Sequence, residues 1–478
     1  MTTAGSTSSN WWVARWWPAL RREGKNPVAL WSTFILTHLW LGLLNLYADG
    51  LPLGDVTIVY KFWTDQVFIA DFWVGIHSAW VYPILAIFPM LAAEAFGPAM
   101  YASTWLSMVM VLDAVGFAAI IGWGRTSRNS AAAWWWIGFL LLLGPIAMGR
   151  IDSITVPLAI VGVMFAATRP RVAALILTIA AWIKVWPAAL VGALIIATQG
   201  RWRILVTAVS TSILIIVAAL SFGSGPNVFS FVTQQTDRGL QIEAPISTIW
   251  LWQAFAGAPG TSVYYDQRFL TWQVTGDGVG VVIGLMTPMM ALVVVAVVLV
   301  AVIVLRRGAS ATRLLPPLAL ALVTTLIAFN KVGSPQFIGW LAVPVILGLV
   351  SARSDGGGSG GGGSGGAGSG GGRSFVIPAV LVAIIAALTQ ACYPYLYGWL
   401  LGLHPILLVL LTARNLALFV LLGWAIIALW NTSPAGEPAG ESAGESAGEH
   451  GGADVQPAPW PLESPPQRPT ERAGSTLG

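Results

Sequence analysis

Charge is scarce in this chain. Asp, Glu, Lys and Arg make up 9% of 478 residues against 56% hydrophobic residues, and the mean hydropathy of +0.75 lies far from that of a soluble globular mixture. Cysteine is nearly absent: Cys392 stands alone, which excludes an intramolecular disulfide framework and says nothing of redox compartment. Histidine is sparse too. His38, His77, His404 and His450 lie far apart and no carboxylate pair has ligand spacing, so the sequence offers no metal site. The pI of 9.3 comes with no basic stripe; the cations are scattered over short loops, which argues against nucleic acid as a partner. A repeat of half-length period, common in secondary transporters, is also missing.

What is abundant is apolar runs of roughly 20 residues, each able to cross a hydrocarbon core as a helix. The expected fold class is an all-α polytopic membrane protein with about 12 transmembrane helices and interfacial helices in its outer loops. The runs fall near 28–47, 99–123, 131–148 and 154–168, then in a hairpin over 172–198 that turns at Ile183-Lys184-Val185-Trp186-Pro187. They continue near 204–221, 279–305, 314–329, 336–351, 374–391 and 405–430. An even count leaves both termini on one side. With that side cytoplasmic, all of the 24 basic residues fall in inner segments except Lys61, Arg150, Lys184, Arg238, Arg268, Lys331 and Arg414. The positive-inside rule thus sets the expected orientation in a plasma membrane.

The flanks divide simply. Residues 1–27 carry Trp11, Trp12, Trp16 and Trp17 followed by Arg21, Arg22 and Lys25, which reads as an interfacial cytoplasmic segment rather than a cleavable signal peptide; a disordered leader is the alternative. The membrane core is expected over 28–351, with a Gly/Ser-rich cytoplasmic linker over 352–373. The last two helices follow over 374–430 and a disordered cytoplasmic tail over 431–478.

The outer loops are unequal. A connection between spans needs only a few residues, yet 48–98 and 222–278 each run to about fifty, and 391–404 is also substantial. Loops of that size build a lid or a substrate platform. The first holds Asp55, Tyr60 and Tyr82-Pro83, and its apolar stretch 84–96 is too short to span. Asp55, just beyond the first span, suits either a general base toward an acceptor hydroxyl or the cap of the next helix. Asp49, Asp65 and Asp71 read as solvated loop acids.

Outward cations supply the other half of a candidate site. Lys184 sits at the hairpin tip and Lys331 in Asn330-Lys331-Val332-Gly333-Ser334-Pro335-Gln336. Arg150 and Asp152 flank a short outer turn, and Lys184 and Arg150 could equally snorkel to headgroups. Arg414 lies inside the last apolar run, where a cation needs a buried phosphate or carboxylate partner. The second loop adds Gln234, Arg238, Glu243 and the aromatics Trp250, Trp252, Tyr264, Tyr265 and Trp272. These suit a sugar, whose faces are apolar and whose edges are hydroxyl-rich, or an aromatic belt at the membrane surface.

In their order, Asp55 with Tyr60, Tyr82-Pro83, the Lys184-to-Pro187 turn and Asn330-Lys331…Ser334-Pro335-Gln336 resemble the GT-C type integral-membrane glycosyltransferases of family 87, over roughly residues 28–430. The resemblance implies a GT-C type fold and transfer of a sugar, mannose before arabinofuranose, from a polyprenyl-phosphate donor to a glycolipid or glycan acceptor on the outer face. It assigns Asp55 as the catalytic base. Lys331, Arg414 and Lys184 become the donor-phosphate ligands, and Tyr60, Tyr82, Gln234, Arg238, Glu243 and Gln336 sugar or acceptor contacts. No cofactor or metal is expected, since side-chain cations can stabilise the leaving phosphate. One departure bears on loop shape: the family often shows Tyr-Pro-Pro, whereas Ile84 follows Tyr82-Pro83 here. A lipid-linked sugar transporter or flippase is the rival of another class, with Asp113 and Arg414 as its deep ionisable residues.

Overall fold

The computed structural model of the chain describes residues 26–123, 129–354 and 375–432. The Trp/Arg-rich N-terminal segment, all but a few residues of the Gly/Ser-rich linker and nearly all of the tail lie outside the described residues, as do Arg125 and Arg128 of one expected inner loop.

The chain is a mostly helical, multi-pass membrane protein. Among the described residues, eight helices are long and apolar enough to cross a membrane: Pro27–Tyr47, Pro98–Ile121, Ser130–Ala147, Arg201–Ser221, Val279–Arg306, Ala311–Ala328, Pro335–Ala352 and Pro405–Trp430. Local chemistry sets their ends. Asn26 caps the first by accepting from the Val28 amide at 3.0 Å, with Pro27 preset for the first turn. Gly122, at φ +75°, closes the second in the left-handed conformation.

Four further apolar runs form shorter helices, Asp152–Met164, Pro170–Ile183, Ala188–Ala197 and Val376–Cys392. At 10–17 residues they reach only about 15–26 Å, short of a hydrocarbon core of about 30 Å. Run length alone predicts full spans there, and the helices formed are shorter than the eight above. Lys184 is extended (φ −149°, ψ 130°) just before Val185-Trp186-Pro187, so the hairpin breaks where the sequence places its turn. One of them sits inside the bundle: Asp152–Met164 is almost wholly buried, packed against Tyr101–Ile121 and Pro170–Ile183.

Burial separates interior from lipid-facing helices. Ala311–Ala328 and Pro335–Ala352 bury 72% of their apolar windows, whereas Arg201–Ser221 and Val279–Arg306 bury only 11% and 17%. Leu214 (69% exposed) and Leu292 (68%) face outward from the latter pair, a surface that water would penalise and acyl chains match.

The first long loop folds into a π-helical turn Asp55–Tyr60, the helix Lys61–Ala70 and a short helical stretch over Ile84–Ala92. The second departs from the helical expectation. Ser262–Asp266 and Thr271–Thr275 pair antiparallel, with Tyr265 opposite Trp272, because both segments are rich in β-branched and aromatic residues. Val274 N–H donates to Leu240 O (3.0 Å) and Ile242 N–H to Trp272 O (3.2 Å), so the segment before Glu243 lies along the hairpin.

Candidate active site

Asp55 opens the π-helical turn after the first span. It does not cap: the turn has no side-chain cap bond, and the carboxylate Oδ2 lies 3.0 Å from Nε of Arg150. Asp55 is about 43% exposed at its side chain and Arg150 about 7%. Arg150 does not snorkel to headgroups. Its Nη1 donates to Pro52 O and Gly149 O, both at 2.7 Å, and its Nη2 to Tyr393 Oη at 2.5 Å. Burial opposes the charge of Arg150, but the neighbouring Asp55 carboxylate and Tyr393 hydroxyl raise its pKa above the ordinary value, so the cation is permanent. A cation removed from water needs such partners to recover its lost hydration.

Tyr60 ends the same turn and is fully buried. Its hydroxyl accepts from the Ile151 amide at 3.1 Å and bonds to Tyr82. Burial first, then Tyr82 and Asp55, push its pKa well above 10.0, which keeps the hydroxyl protonated. Tyr82 stands edge-on to Trp63 and Trp80 at 5.9 and 5.5 Å. Lys184 Nζ lies 4.8 Å above the Tyr82 ring and 3.5 Å from Asp152 Oδ2. Asp152 also accepts from Trp340 Nε1 at 2.7 Å, and Trp340 stacks on Trp186 at 5.4 Å. Lys184 is thus a paired, inward cation rather than one reaching for headgroups.

The other cations come from the second loop and the Asn330–Gln336 segment. Lys331 O accepts from the Gln241 amide at 3.1 Å, and Gly333 permits the approach: a Cβ there would fall 2.0 Å from Ala244 N. Burial lowers the pKa of Lys331; Asp237 opposes this and Arg238 adds to it. Arg238 is itself lowered by burial, with Tyr82 and Asp266 opposing. Its guanidinium lies 5.6 Å from the Phe269 ring, and its buried Nε has no hydrogen-bond partner among the described residues. Lys184 therefore lies over the Tyr82 ring, Arg238 is near enough for its charge to act on the Tyr82 hydroxyl, and Lys331 lies near Arg238.

Arg414 has the anionic partner that its position demands. Glu243 Oε2 lies 3.6 Å from Nη1, while Nη2 donates to Glu243 O at 2.6 Å and to Asn415 Oδ1 at 2.7 Å. Glu243 is pushed up to about 7 by burial, against Arg414, a hydrogen bond from Tyr397 and Arg150. Gln336 lies elsewhere: it accepts from Ser334 Oγ at 2.9 Å and, with Asp113, Trp136 and Asp152, lines a small cavity beneath the hairpin tip. Gln234 is half-buried on the helix Ser230–Thr236, and no hydrogen bond among the described residues ties it to Asp55, Tyr60 or Tyr82. Asp113, deep in its span, pairs with His38 Nε2 at 3.0 Å, and both are buried.

Sequence reasoning missed Tyr393 and Tyr397 and gave Arg150 and Asp152 no role in the site. A signal was available: Tyr393, Tyr395 and Tyr397 fall within five residues of an outer loop, in a chain with only nine tyrosines. Among the described residues, no group of three His, Cys, Asp or Glu side chains is arranged to hold a metal ion. Beside Tyr82-Pro83, an apolar groove of about 550 Å³ runs between the first outer loop and the helix Arg201–Ser221. Ile76, Ile84, Leu85, Phe88, Leu214 and Phe222 line it, with Asp71 and His77 as its polar members.

No family model matches the chain, and no curated protein does. Two solved structures are similar to it, both of ArnT from Cupriavidus metallidurans. The apo form has a TM-score of 0.37 at 13% sequence identity, with 78% of this chain and 72% of ArnT covered. The form bound to undecaprenyl phosphate has a TM-score of 0.39 at 13% identity, with 84% and 77% covered.

Proposed function

We propose that the protein is a GT-C type membrane glycosyltransferase that moves a sugar, mannose in the first instance, from a polyprenyl-phosphate donor to a glycolipid or cell-envelope glycan on the outer face. One observation carries this reading: a half-exposed carboxylate, Asp55, is paired with Arg150 beside Tyr60, and Tyr60 bonds to Tyr82; of three further cations, Lys184 lies over the Tyr82 ring, Arg238 near Tyr82 and Lys331 near Arg238. Asp55 Oδ1 accepts the proton of the acceptor hydroxyl. The resulting oxygen forms a bond to the anomeric carbon while the bond from that carbon to the phosphate oxygen breaks, with inversion. The departing phosphate keeps the electron pair, and the three cations stabilise its growing charge. Arg414, committed to Glu243 and Asn415, supports the phosphate side by fixing the Glu243 segment. The groove that begins at Ile84, next to Tyr82-Pro83, accepts part of the isoprenoid chain, since its walls are mostly apolar. The distribution of basic residues supports cytoplasmic termini and an extracytoplasmic site.

The test is transfer by the purified full chain from polyprenyl-phosphate mannose to a membrane glycolipid extract, wild type beside Asp55→Asn. Transfer by wild type that the variant loses, while still binding undecaprenyl phosphate, supports the reading. Transfer from the arabinofuranose donor alone changes the sugar, and no transfer from either donor overturns the class.

A further inference from the structure

The three residues Gly149, Arg150 and Ile151 grip both ends of the turn that carries Asp55. Arg150 Nη1 holds Pro52 O at 2.7 Å, just before the turn, and Nε holds the Asp55 carboxylate at 3.0 Å. The Ile151 amide donates to Tyr60 Oη at 3.1 Å, at the end of the turn. Gly149 allows the close fit, because a Cβ there would lie 2.8 Å from Pro52 O and 2.9 Å from Asn45 Oδ1. Tyr393, from a distant loop, closes the arrangement by accepting from Nη2 at 2.5 Å.

A buried arginine near a phosphate site would ordinarily be read as a phosphate ligand. The hydrogen-bond count argues otherwise. A guanidinium has five N–H groups; here Nε faces Asp55, Nη1 serves two carbonyls and Nη2 serves Tyr393, which leaves one Nη2 hydrogen over. A two-point grip on phosphate needs a second hydrogen, and taking it would strip Asp55, Tyr393 or a buried backbone carbonyl of its donor. The carboxylate is divided in the opposite sense: Oδ2 is held, while Oδ1 carries no hydrogen bond from the described residues on a side chain about 43% exposed.

We propose that Arg150, seated by Tyr393, is the positioning residue of the base, fixing Oδ2 of Asp55 so that Oδ1 meets the acceptor hydroxyl. The inference rests on the glycosyltransferase reading above and concerns the acceptor side of the reaction, not the donor phosphate. Arg150 touches no reacting atom and acts only through Asp55.

The experiment uses the full chain in nanodiscs with Arg150→Ala, Arg150→Lys and Tyr393→Phe. It measures kcat for sugar transfer and, separately, the Kd for undecaprenyl phosphate. A base that is misplaced rather than lost predicts a fall in kcat of about 100-fold for both Arg150 variants, with Kd within about twofold of wild type. Tyr393→Phe, which removes one hydroxyl and keeps the ring, lowers kcat about fivefold with Kd unchanged. Added guanidinium restores part of the kcat of Arg150→Ala and leaves wild type unaffected, a rescue that general loss of packing would not give. Should the Arg150 variants fail to fold, Tyr393→Phe carries the test. A rise in Kd of about tenfold with kcat retained makes Arg150 a phosphate ligand and overturns the proposal. An unchanged kcat in variants that fold overturns it as well. Failure of the underlying reading looks different: wild type itself transfers nothing, or Asp55→Asn transfers as well as wild type.

Discussion

Tyr393 and Tyr397 meet edge to face at 5.2 Å, and that contact joins the two buried arginines into one polar system. Tyr393 accepts from Arg150, the partner of Asp55, and Tyr397 bonds to Glu243, the partner of Arg414. Four loops and the last span thus contribute residues that are distant in sequence.

Asp55→Asn keeps the shape of the side chain and removes its basicity. Transfer should fall by at least about 100-fold, the usual range for a lost general base, while melting temperature and undecaprenyl-phosphate affinity stay close to wild type. A transfer assay beside a thermal melt separates chemistry from folding.

Glu243 sets a pH dependence whose sign follows from its environment. Its folded pKa is raised to about 7, chiefly by burial, from the ordinary glutamate value of 4.5. Between these values the folded state holds a proton that the unfolded state has released. The stabilisation is full below about pH 4.5, declines upward and is lost above about pH 7. Wild type should lose about 1 kcal/mol from this group between pH 6 and pH 8, and Glu243→Gln should lack that component. Denaturation curves for both proteins at the two pH values give the difference.

Lys184, Arg238 and Lys331 are expected to weaken undecaprenyl-phosphate binding about tenfold each when replaced by Met. Lys184→Met has a further consequence, since it leaves the buried Asp152 without its cation. That variant alone should also melt lower, and replacing Asp152 by Asn in the same protein should recover part of the loss. Binding titrations and melts on the single and double variants check both statements.

Gly333→Ala should dismantle the phosphate side without touching a charge. The added methyl would sit 2.0 Å from Ala244 N, forcing Lys331 away from the Glu243 segment. Lower donor affinity with a membrane fold that remains intact by circular dichroism is the expected outcome.

Much of this architecture was legible in the chain, for physical reasons. Apolar run length and proline placement mark the main helices and the break at Lys184, because both act locally. Arg414 announced a buried anion, because an unpaired cation inside an apolar run is untenable. What stayed hidden depends on contacts across the fold. Nothing near Asp55 in sequence points to Arg150, and Asp152 reads as a surface flank until Trp340 and Lys184 enclose it. The hairpin of Ser262–Asp266 and Thr271–Thr275 passes for part of an aromatic belt, because exposed tyrosines and tryptophans suit either setting.

The helix Val279–Arg306 buries little of itself and runs for 28 residues, about 42 Å at the α-helical rise. The apolar slab of a bilayer is about 30 Å deep. Its far end is pinned where Arg307 lies 4.1 Å over the ring of Trp430, as a cation and an indole do at a headgroup boundary. The surplus length must be taken up by leaning or by reaching out of the slab. At its near end the helix begins just after the strand carrying Trp272, which lies along the segment leading to Glu243. One unbroken helix therefore ties the Arg307–Trp430 contact at one end to the hairpin beside the Glu243 segment at the other.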